Sequence, residues 1–319
     1  MSGQIIDVPG VKVGQKQDLK ALTGCTAILF EEGAVGGVDV RGSAPGTRET
    51  DLLNPINLVE KVHGICLSGG SAFGLDAASG VMQYLEDQGI GLDVGVAKVP
   101  IVPAAVLFDL AVGDPKVRPN KQMGYEAAAL ATPKKFPSGN YGAGCGATVG
   151  KLAGPDSCMK GGLGSASICL ENGVVIGAIV AVNAVGEIRD PANGKVIAGV
   201  YDRKSGTILD SMTLLEKNYQ APIPAGTNTT IGVVAVNADF TKAEVNKISQ
   251  MAQDGFARTI YPAHTMNDGD TIFAAATGGI KVPVDVAGAL AAKVIKMAIL
   301  DAVRSAESVA GIPAYNDIN

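Results

Sequence analysis

The chain has 319 residues, of which 47% are hydrophobic and 18% are charged, and its formal net charge is −5. This composition excludes an intrinsically disordered protein, which combines low hydrophobicity with high net charge. It also argues against a dedicated nucleic-acid binder, whose surface is basic.

Short apolar runs alternate with glycine-rich turns along the first half of the chain, which indicates a mixed α/β arrangement. We expect a strand over 26–30 that ends in a turn at 31–33, and a second strand over 63–67. Apolar residues at three-to-four spacing predict a helix over 71–88. The segment 95–120 carries four prolines, and we expect it to be ordered but irregular.

Two long apolar runs, 174–185 and 231–236, carry near-identical cores, I-V-A-V-N-A and V-V-A-V-N-A. Continuous apolar runs are typical of strands buried on both faces, so these are the predicted central strands. The match is explained by two buried strands that each end in an asparagine turn. An ancient internal duplication is the alternative interpretation.

Helix signals mark the last third of the chain. Thr241 with Glu244 forms a capping box, which predicts that a helix begins there. Pro283 precedes a second, strongly apolar helix from Val284 to about Ser308. Before these helices, residues 202–228 are polar and proline-bearing, and this composition favours a linker.

Cysteine and histidine usage disfavours a metal centre or a disulfide scaffold. The five cysteines include no C-x-x-C pair, and the two histidines, His63 and His264, are both expected to be structural. A place near a site is the alternative for His264, which lies between Pro262 and Asp268. We expect no metal and no cofactor. The N-terminus lacks the charged and apolar regions of a signal peptide, and no run reaches membrane-spanning length. A cytoplasmic, soluble protein that acts at neither membrane nor nucleic acid is expected.

The glycine-rich stretch 142–151 imitates nucleotide-binding motifs. G-A-G-C-G-A fits a dinucleotide fingerprint, but a loop precedes it and a strand pattern follows, where that fingerprint needs the opposite order. A P-loop fails because Cys145 replaces its first glycine and Leu152 its Ser or Thr. A non-catalytic nucleotide-binding protein remains an alternative.

A possible nucleophile lies at the junction Asn228-Thr229-Thr230, directly before the second apolar run. A chain cut before Thr229 would give that residue a free α-amine, whose reference pKa of about 7.7–8.0 suits a general base. Asp268 and Asp270 could orient such an amine. The alternative is an ordinary strand entry and an ordinary turn.

Several stretches together resemble one family over residues 5–310. It is the DmpA-like family of N-terminal-nucleophile-type hydrolases, which includes L-aminopeptidase/D-Ala-esterase-amidases, β-peptidyl aminopeptidases and endo-type nylon-oligomer hydrolases. The stretches are D-V-R-G-S-A-P-G-T-R-E-T-D-L-L (39–53), G-G-S-A-F-G-L (69–75), V-P-I-V-P-A-A-V-L-F-D-L (99–110), G-A-G-C-G-A-T-V-G-K (142–151), K-G-G-L-G-S-A-S (160–167), V-A-V-N-A-V-G (180–186), N-T-T-I-G-V-V-A-V-N-A (228–238) and D-G-D-T-I-F-A-A-A-T-G (268–278).

The resemblance implies an α+β fold, a four-layer αββα sandwich like that of N-terminal-nucleophile hydrolases but with its own strand connectivity. It implies a single domain, 1–319, that cleaves itself between Asn228 and Thr229 into chains 1–228 and 229–319. Assembly of several such αβ units, often four, is also implied.

Residue roles follow from the same resemblance, position by position. Thr229 aligns with the nucleophile, and Asn183 aligns with the donor to the oxyanion. Lys151 aligns with a lysine of the nylon-hydrolase site, although Lys160 is a candidate for the same position.

The acidic pair and one aromatic position distinguish members of the family. Asp268 and Asp270 align with the acidic pair of the nylon hydrolases, where aminopeptidases carry Ser and Glu. Phe108 stands where some members place a tyrosine hydroxyl, and phenylalanine cannot donate that hydrogen bond. The sequence therefore leaves aminopeptidase and internal amidase open.

The function expected is a self-cleaving amidohydrolase or aminopeptidase that acts on small peptides or amides through an acyl-enzyme intermediate. The alternative enzyme is a self-cleaving acetyltransferase of the ornithine acetyltransferase type, whose cleavage motif differs from Asn228-Thr229.

Overall fold

The protein folds around one mixed sheet whose two halves pack face to face. A computed structural model describes residues 3–217 and 226–318. The strands are β1 Val11–Asp18, β2 Thr23–Val40, β3 Thr47–Arg48, β4 Lys61–Ser68, β5 Leu92–Asp93, β6 Lys98–Val99, β7 Ala104–Val106, β8 Thr148–Val149, β9 Met159–Lys160, β10 Gly162–Cys169, β11 Val175–Val182, β12 Glu187–Arg189, β13 Val196–Ala198, β14 Val200–Asp202, β15 Thr207–Leu209, β16 Ile231–Ala238, β17 Ile260–Tyr261 and β18 Thr271–Ile280. The helices are α1 Ala77–Asp87, α2 Lys121–Ala129, α3 Ser211–Glu216, α4 Lys242–Ala257 and α5 Val284–Arg304.

The long strand β2 joins the two halves of the main sheet. The strand order in this sheet is β10-β11-β16-β18-β2-β4-β7-β3, with β1 also paired to β2. The first part of β2, up to Phe30, pairs with β1 and with β4, whereas residues 35–40 pair with β18. One continuous strand therefore belongs to both halves.

Three layers of apolar side chains separate four layers of structure. Between the sheet halves, Ile28 and Ile65 of one half pack in the same cluster as Val233 and Phe273 of the other. Helices α1 and α2 cover the outer face of the first half, and α4 and α5 cover the second. Burial of each such side chain contributes about 1.5–3 kcal/mol. This arrangement confirms the predicted αββα sandwich.

The two central strands alternate between two apolar layers. In β16, Val233 and Ala235 face the layer between the sheet halves, whereas Val234 and Val236 face helices α4 and α5. Both faces of β16 are buried away from water, which explains why polar and apolar residues do not alternate in its sequence. The prediction of strands buried on both faces is confirmed.

The helix predictions are confirmed with small adjustments. The segment 71–88 begins as a 3-10 helix, Ser71–Asp76, and continues as α1. The side chain of Thr241 accepts the N–H of Glu244 and caps α4, as the capping box predicts. The apolar helix α5 ends at Arg304, four residues before the expected end.

The turn expected at 31–33 is wrong. Strand β2 continues through Glu31 and Glu32, and its pairing with β4 shifts register between Leu29 and Ala34. Charged side chains and a glycine mark an irregularity within a strand here, since one side of this region is solvated.

The predicted linker 202–228 is also wrong in part. Strand β15, which pairs with β14, and helix α3 lie within it, and residues 218–225 lie outside the described residues. The glycine-rich stretch forms a 3-10 turn, Gly142–Gly144, before the two-residue strand β8. No helix in residues 3–217 and 226–318 has the length and hydropathy needed to cross a bilayer.

Candidate active site

The sheet topology brings the predicted site residues to one edge. Because β11 runs antiparallel to β16, Asn183 at the end of β11 lies beside the residues that precede β16. Because β16 and β18 are parallel, the segments before both strands also lie side by side, and Asn228 forms a bridge with Asp268. Three segments distant in sequence therefore meet around Thr229.

Thr229 is buried, and both of its polar groups contact the main chain of other site residues. Its N–H donates to the carbonyl of Asn183 over 2.9 Å. Its hydroxyl donates to the carbonyl oxygen of Asn228 over 2.5 Å. The same carbonyl oxygen accepts the N–H of Gly269 over 3.0 Å. The Asn228–Thr229 peptide is thus held between a hydroxyl and a main-chain donor.

Asn183 is fully buried and fixed on both sides of its amide. Its Oδ1 accepts the N–H of Thr148 over 3.0 Å and Lys151 Nζ over 2.9 Å. Its Nδ2 donates to the carbonyl of Phe108 over 3.1 Å. Phe108 therefore contributes its main chain to the site, and its side chain lines an adjoining cavity.

Lys151 is positioned by the turn after β8. Gly150 has φ +74°, and an added Cβ would lie 2.0 Å from the main chain of Gly199, so no other residue fits this turn. Lys151 Nζ donates to both oxygens of Asn183 and to the carbonyl of Thr227. Burial lowers the pKa of its ammonium to about 7. The lysine can thus change protonation state near neutral pH.

Lys160 occupies a different place. It is fully buried, and its Nζ donates to the main-chain carbonyls of Gly144, Cys145 and Ala147. Burial lowers the pKa of this ammonium to about 8. The structure therefore brings Lys151, and not Lys160, into contact with Asn183.

The two aspartates differ in their hydrogen bonds. Asp268 accepts the N–H of Thr265 at Oδ2, and its Oδ1 is buried with no hydrogen-bond partner in the described part of the chain. Burial, and then the neighbouring Asp270, raise the pKa of Asp268 to about 7. Asp270 accepts the N–H of Thr230 over 2.8 Å at Oδ1.

His264 belongs to this site, although its sequence context favoured a structural role. Its N–H donates to Asp270 Oδ2, and its Nδ1 lies 3.0 Å from the same oxygen. The ring stacks on Phe256 with centroids 6.1 Å apart. The signal in the sequence for a place near the site is the position of His264 between Pro262 and Asp268. His63 lies elsewhere, where its Nδ1 accepts the N–H of Ile101.

A cavity of about 360 Å³ opens beside Lys151. Its lining comes from segments 108–112, 148–158 and 310–312, together with Arg203 and Thr227. The buried thiol of Cys158 also lines it. Across residues 3–217 and 226–318, no group of three His, Cys, Asp or Glu side chains is arranged to hold a metal ion.

Comparison with known proteins gives full-length matches. The family model described as peptidase family S58 matches residues 3–315. A protein of Mycobacterium tuberculosis, described as an uncharacterized aminopeptidase, is 42% identical over 346 aligned positions that cover 98% of this chain and 97% of its own. A 6-aminohexanoate-oligomer endohydrolase of Paenarthrobacter ureafaciens is 34% identical over 87% of this chain and 76% of its own.

Solved structures share the fold. The L-aminopeptidase D-Ala-esterase/amidase of Ochrobactrum anthropi matches with a TM-score of 0.72 and 18% identity, covering 98% of this chain and 90% of that one. A β-aminopeptidase of a Burkholderia species matches with a TM-score of 0.69 and 21% identity over the same shares. These likenesses support the four-layer architecture.

Proposed function

The chain belongs to peptidase family S58, and we propose that it cleaves itself before Thr229 and then hydrolyses amide or peptide bonds with the Thr229 hydroxyl. Family membership agrees with the resemblance found in the sequence and makes the protein a hydrolase of peptide or amide bonds. The observation that carries the proposal is the contact of the Thr229 hydroxyl with the carbonyl of Asn228.

Self-cleavage begins as an N-to-O acyl shift. Thr229 Oγ1 attacks the carbonyl carbon of Asn228, and the negative charge that develops on the oxygen faces the N–H of Gly269. The C–N bond then breaks, the hydroxyl proton passes to the Thr229 nitrogen, and an ester joins Asn228 to Thr229. Water hydrolyses the ester and leaves a carboxylate on Asn228.

Asp268 is the group we assign to move the proton. One of its oxygens has no hydrogen-bond partner in residues 3–217 and 226–318, and its pKa is raised to about 7. A carboxyl that titrates near neutrality can both accept and return a proton under physiological conditions. Asp270, which is contacted by His264, accepts the N–H of Thr230 and so fixes the main chain next to Thr229.

Turnover of substrate repeats the same chemistry. The α-amine released on Thr229 stays beside the carbonyl of Asn183, which accepts the N–H of the intact chain. This amine takes the hydroxyl proton as Oγ1 attacks the substrate carbonyl. Asn183 Nδ2 donates one N–H to the carbonyl of Phe108, and we assign its second N–H as the donor to the oxyanion. The amine product leaves, and water releases the acid.

We also propose the division of the domain into chains 1–228 and 229–319, and assembly of the resulting units, four being the number that the resemblance implies. The hairpin formed by β5 and β6 leaves Val94 50% and Val96 96% exposed, which favours packing against another copy.

All five cysteines are free thiols. This agrees with the reducing cytoplasm that we propose as the location.

Intact-mass spectrometry of the purified protein under denaturing conditions tests the proposal. We expect two species that sum to the full chain plus one water, the smaller beginning at Thr229. Thr229→Ala should remain a single inactive chain, whereas Thr229→Ser should still be cleaved because it keeps the hydroxyl. A wild-type chain that stays intact after long incubation, or a processed Thr229→Ala chain, would contradict the assignment.

A further inference from the structure

The cavity beside Lys151 lies on the acyl side of the proposed cleavage site. Thr227, which precedes the Asn228–Thr229 bond on its carbonyl side, lines this cavity and accepts from Lys151 Nζ. In self-cleavage the acyl group is the chain that ends at Asn228. A substrate's acyl group must reach the same carbonyl position, so it enters the space next to Thr227.

Most of the cavity wall is apolar. The side chains that form this wall come from three separate segments and include Phe108, Val112, Pro155 and Ile312. An alkyl stem is the kind of group that such a wall stabilises by removal from water. A second feature is needed to fix the far end of the substrate.

Arg203 supplies that feature at the rim of the cavity. Its Nε donates to the main-chain carbonyl of Asp156 over 2.8 Å, and its Nη1 donates to that of Gly311 over 2.9 Å. These two neutral acceptors fix the guanidinium in place. Within residues 3–217 and 226–318, no carboxylate lies within 4 Å of Arg203. Its positive charge is therefore fixed in place, with no counter-ion among the described residues.

We infer that Arg203 binds a carboxylate carried by the acyl part of the substrate, at the far end of an apolar stem. A guanidinium presents its N–H groups in a planar fork that matches a carboxylate, and such charge-assisted bonds are strong. The substrate class is an amide whose acyl group bears a distal carboxylate. This inference rests on the proposed function, because the acyl side is defined by the cleavage site.

The test uses pairs of p-nitroanilides with succinyl, glutaryl and adipoyl acyl groups, each compared with its neutral terminal carboxamide. For at least one length, we expect the carboxylate to be preferred by about tenfold or more in kcat/KM, through KM. Arg203→Gln should abolish the preference, and Arg203→Lys should restore part of it. Arg258→Gln, which changes an exposed arginine paired with Asp254, is the matched control.

Asp156→Asn tests whether Arg203 recognises the substrate's charge or only supports the wall of the cavity. Asp156 lines the same cavity, so removal of its negative charge should strengthen binding of the carboxylate substrate, opposite in sign to Arg203→Gln. If both variants weaken binding of the carboxylate and the neutral compounds alike, Arg203 only supports the wall and the inference fails. Equal kcat/KM within every pair, or a preference that survives Arg203→Gln, would also overturn it.

Failure of the proposed function gives a different result. Isothermal titration of the same compounds into the protein reports the carboxylate preference even when no nitroaniline is released. An uncleaved or inactive protein that binds the carboxylate through Arg203 would contradict the function and keep the subsite. A processed, active enzyme without the preference would contradict the subsite alone.

Discussion

The main-chain N–H of Gly269 lies 3.0 Å from the carbonyl oxygen of Asn228. A Cβ at Gly269 would stand 2.7 Å from the Thr229 hydroxyl and 2.8 Å from the carbonyl of Ala44. Glycine between the two aspartates therefore leaves room for the hydroxyl while its N–H faces the oxygen that becomes negative. Gly269 thus provides both the space that the attacking hydroxyl needs and a donor to the oxygen that becomes negative.

Gly269→Ala should slow self-cleavage, because the new methyl group displaces either the hydroxyl or the donor. Loss of one oxyanion donor typically costs about 100–1,000-fold in rate, and we expect a slowing of at least tenfold. Intact-mass measurements over time give the rate. Gly64→Ala is the control, since its Cβ would approach no atom closer than 3.3 Å. Equal processing of Gly269→Ala and wild type would show that this contact is unimportant.

Asp268 makes stability depend on pH. Its pKa is raised from 3.8 to about 7, so between these values the folded chain holds a proton that the unfolded chain has released. The free energy of unfolding contributed by Asp268 therefore falls as pH rises through this interval. In a Thr229→Ala background, Asp268→Asn should gain about 1–3 kcal/mol relative to its parent between about pH 4.5 and 7.5.

Urea unfolding at several pH values measures that difference. The uncleaved background keeps both proteins as one chain, so processing does not alter the comparison. Asparagine can still accept the N–H of Thr265 that Asp268 accepts. A stability difference that stays constant or shrinks with rising pH would contradict the raised pKa.

Replacement of the two buried lysines should have different effects, on stability for Lys160 and on turnover for Lys151. Lys160→Met removes the ammonium that three buried carbonyls share, of which those of Gly144 and Ala147 keep a main-chain donor, and we expect a loss of about 1–3 kcal/mol in the free energy of unfolding. Lys151→Met should keep near-parental stability, because both oxygens of Asn183 keep a main-chain donor, from Thr148 and Thr229. It should lose at least about tenfold in turnover, because the amide of Asn183 loses one of the contacts that fix it. Thermal melts and nitroaniline release separate the two effects. Wild-type turnover in Lys151→Met would remove Lys151 from the site.

His264 should act by holding Asp270. Its φ of +58° is a conformation that asparagine tolerates and leucine resists. Asparagine can also present Nδ2 where the ring presents Nδ1. We therefore expect His264→Asn to stay within about threefold of wild-type kcat and His264→Leu to lose at least about tenfold.

Melting temperatures measured beside kcat show whether His264→Leu is merely misfolded. His63→Asn is the matched control, because His63 contacts Ile101 and no residue of the site. An asparagine variant as slow as the leucine variant would contradict a role that depends on the hydrogen bond to Asp270.

The sequence predicts elements whose signal is local. The runs at 174–185 and 231–236 are strands because a fully buried strand needs apolar residues at every position. Thr241 caps α4 because its side-chain bond involves a residue only three positions away. The turn expected at 31–33 fails because charge and glycine accompany an irregular strand as well as a turn.

The site needs information that residue types alone do not carry. Their residue types and spacing are equally typical of an ordinary turn, so Asp268 and Asp270 are identified as site residues by the family resemblance. The contact of His264 with Asp270 depends on the path of the chain between them. Arg203 meets Asp156 and Gly311 from distant segments, and no spacing in the sequence predicts such a meeting.

The strand order gives cleavage before Thr229 a thermodynamic consequence. Strand β16 lies between β11 and β18, and β18 lies between β16 and β2. The two strands of the shorter chain, β16 and β18, would therefore be paired on their outer sides with strands of the longer chain. Unfolding of the processed protein then becomes dissociation of a heterodimer, and its midpoint falls on dilution. In the precursor the same strands belong to one chain, so these contacts add no dependence on concentration. A single cut thereby changes an intramolecular folding equilibrium into an association between two chains.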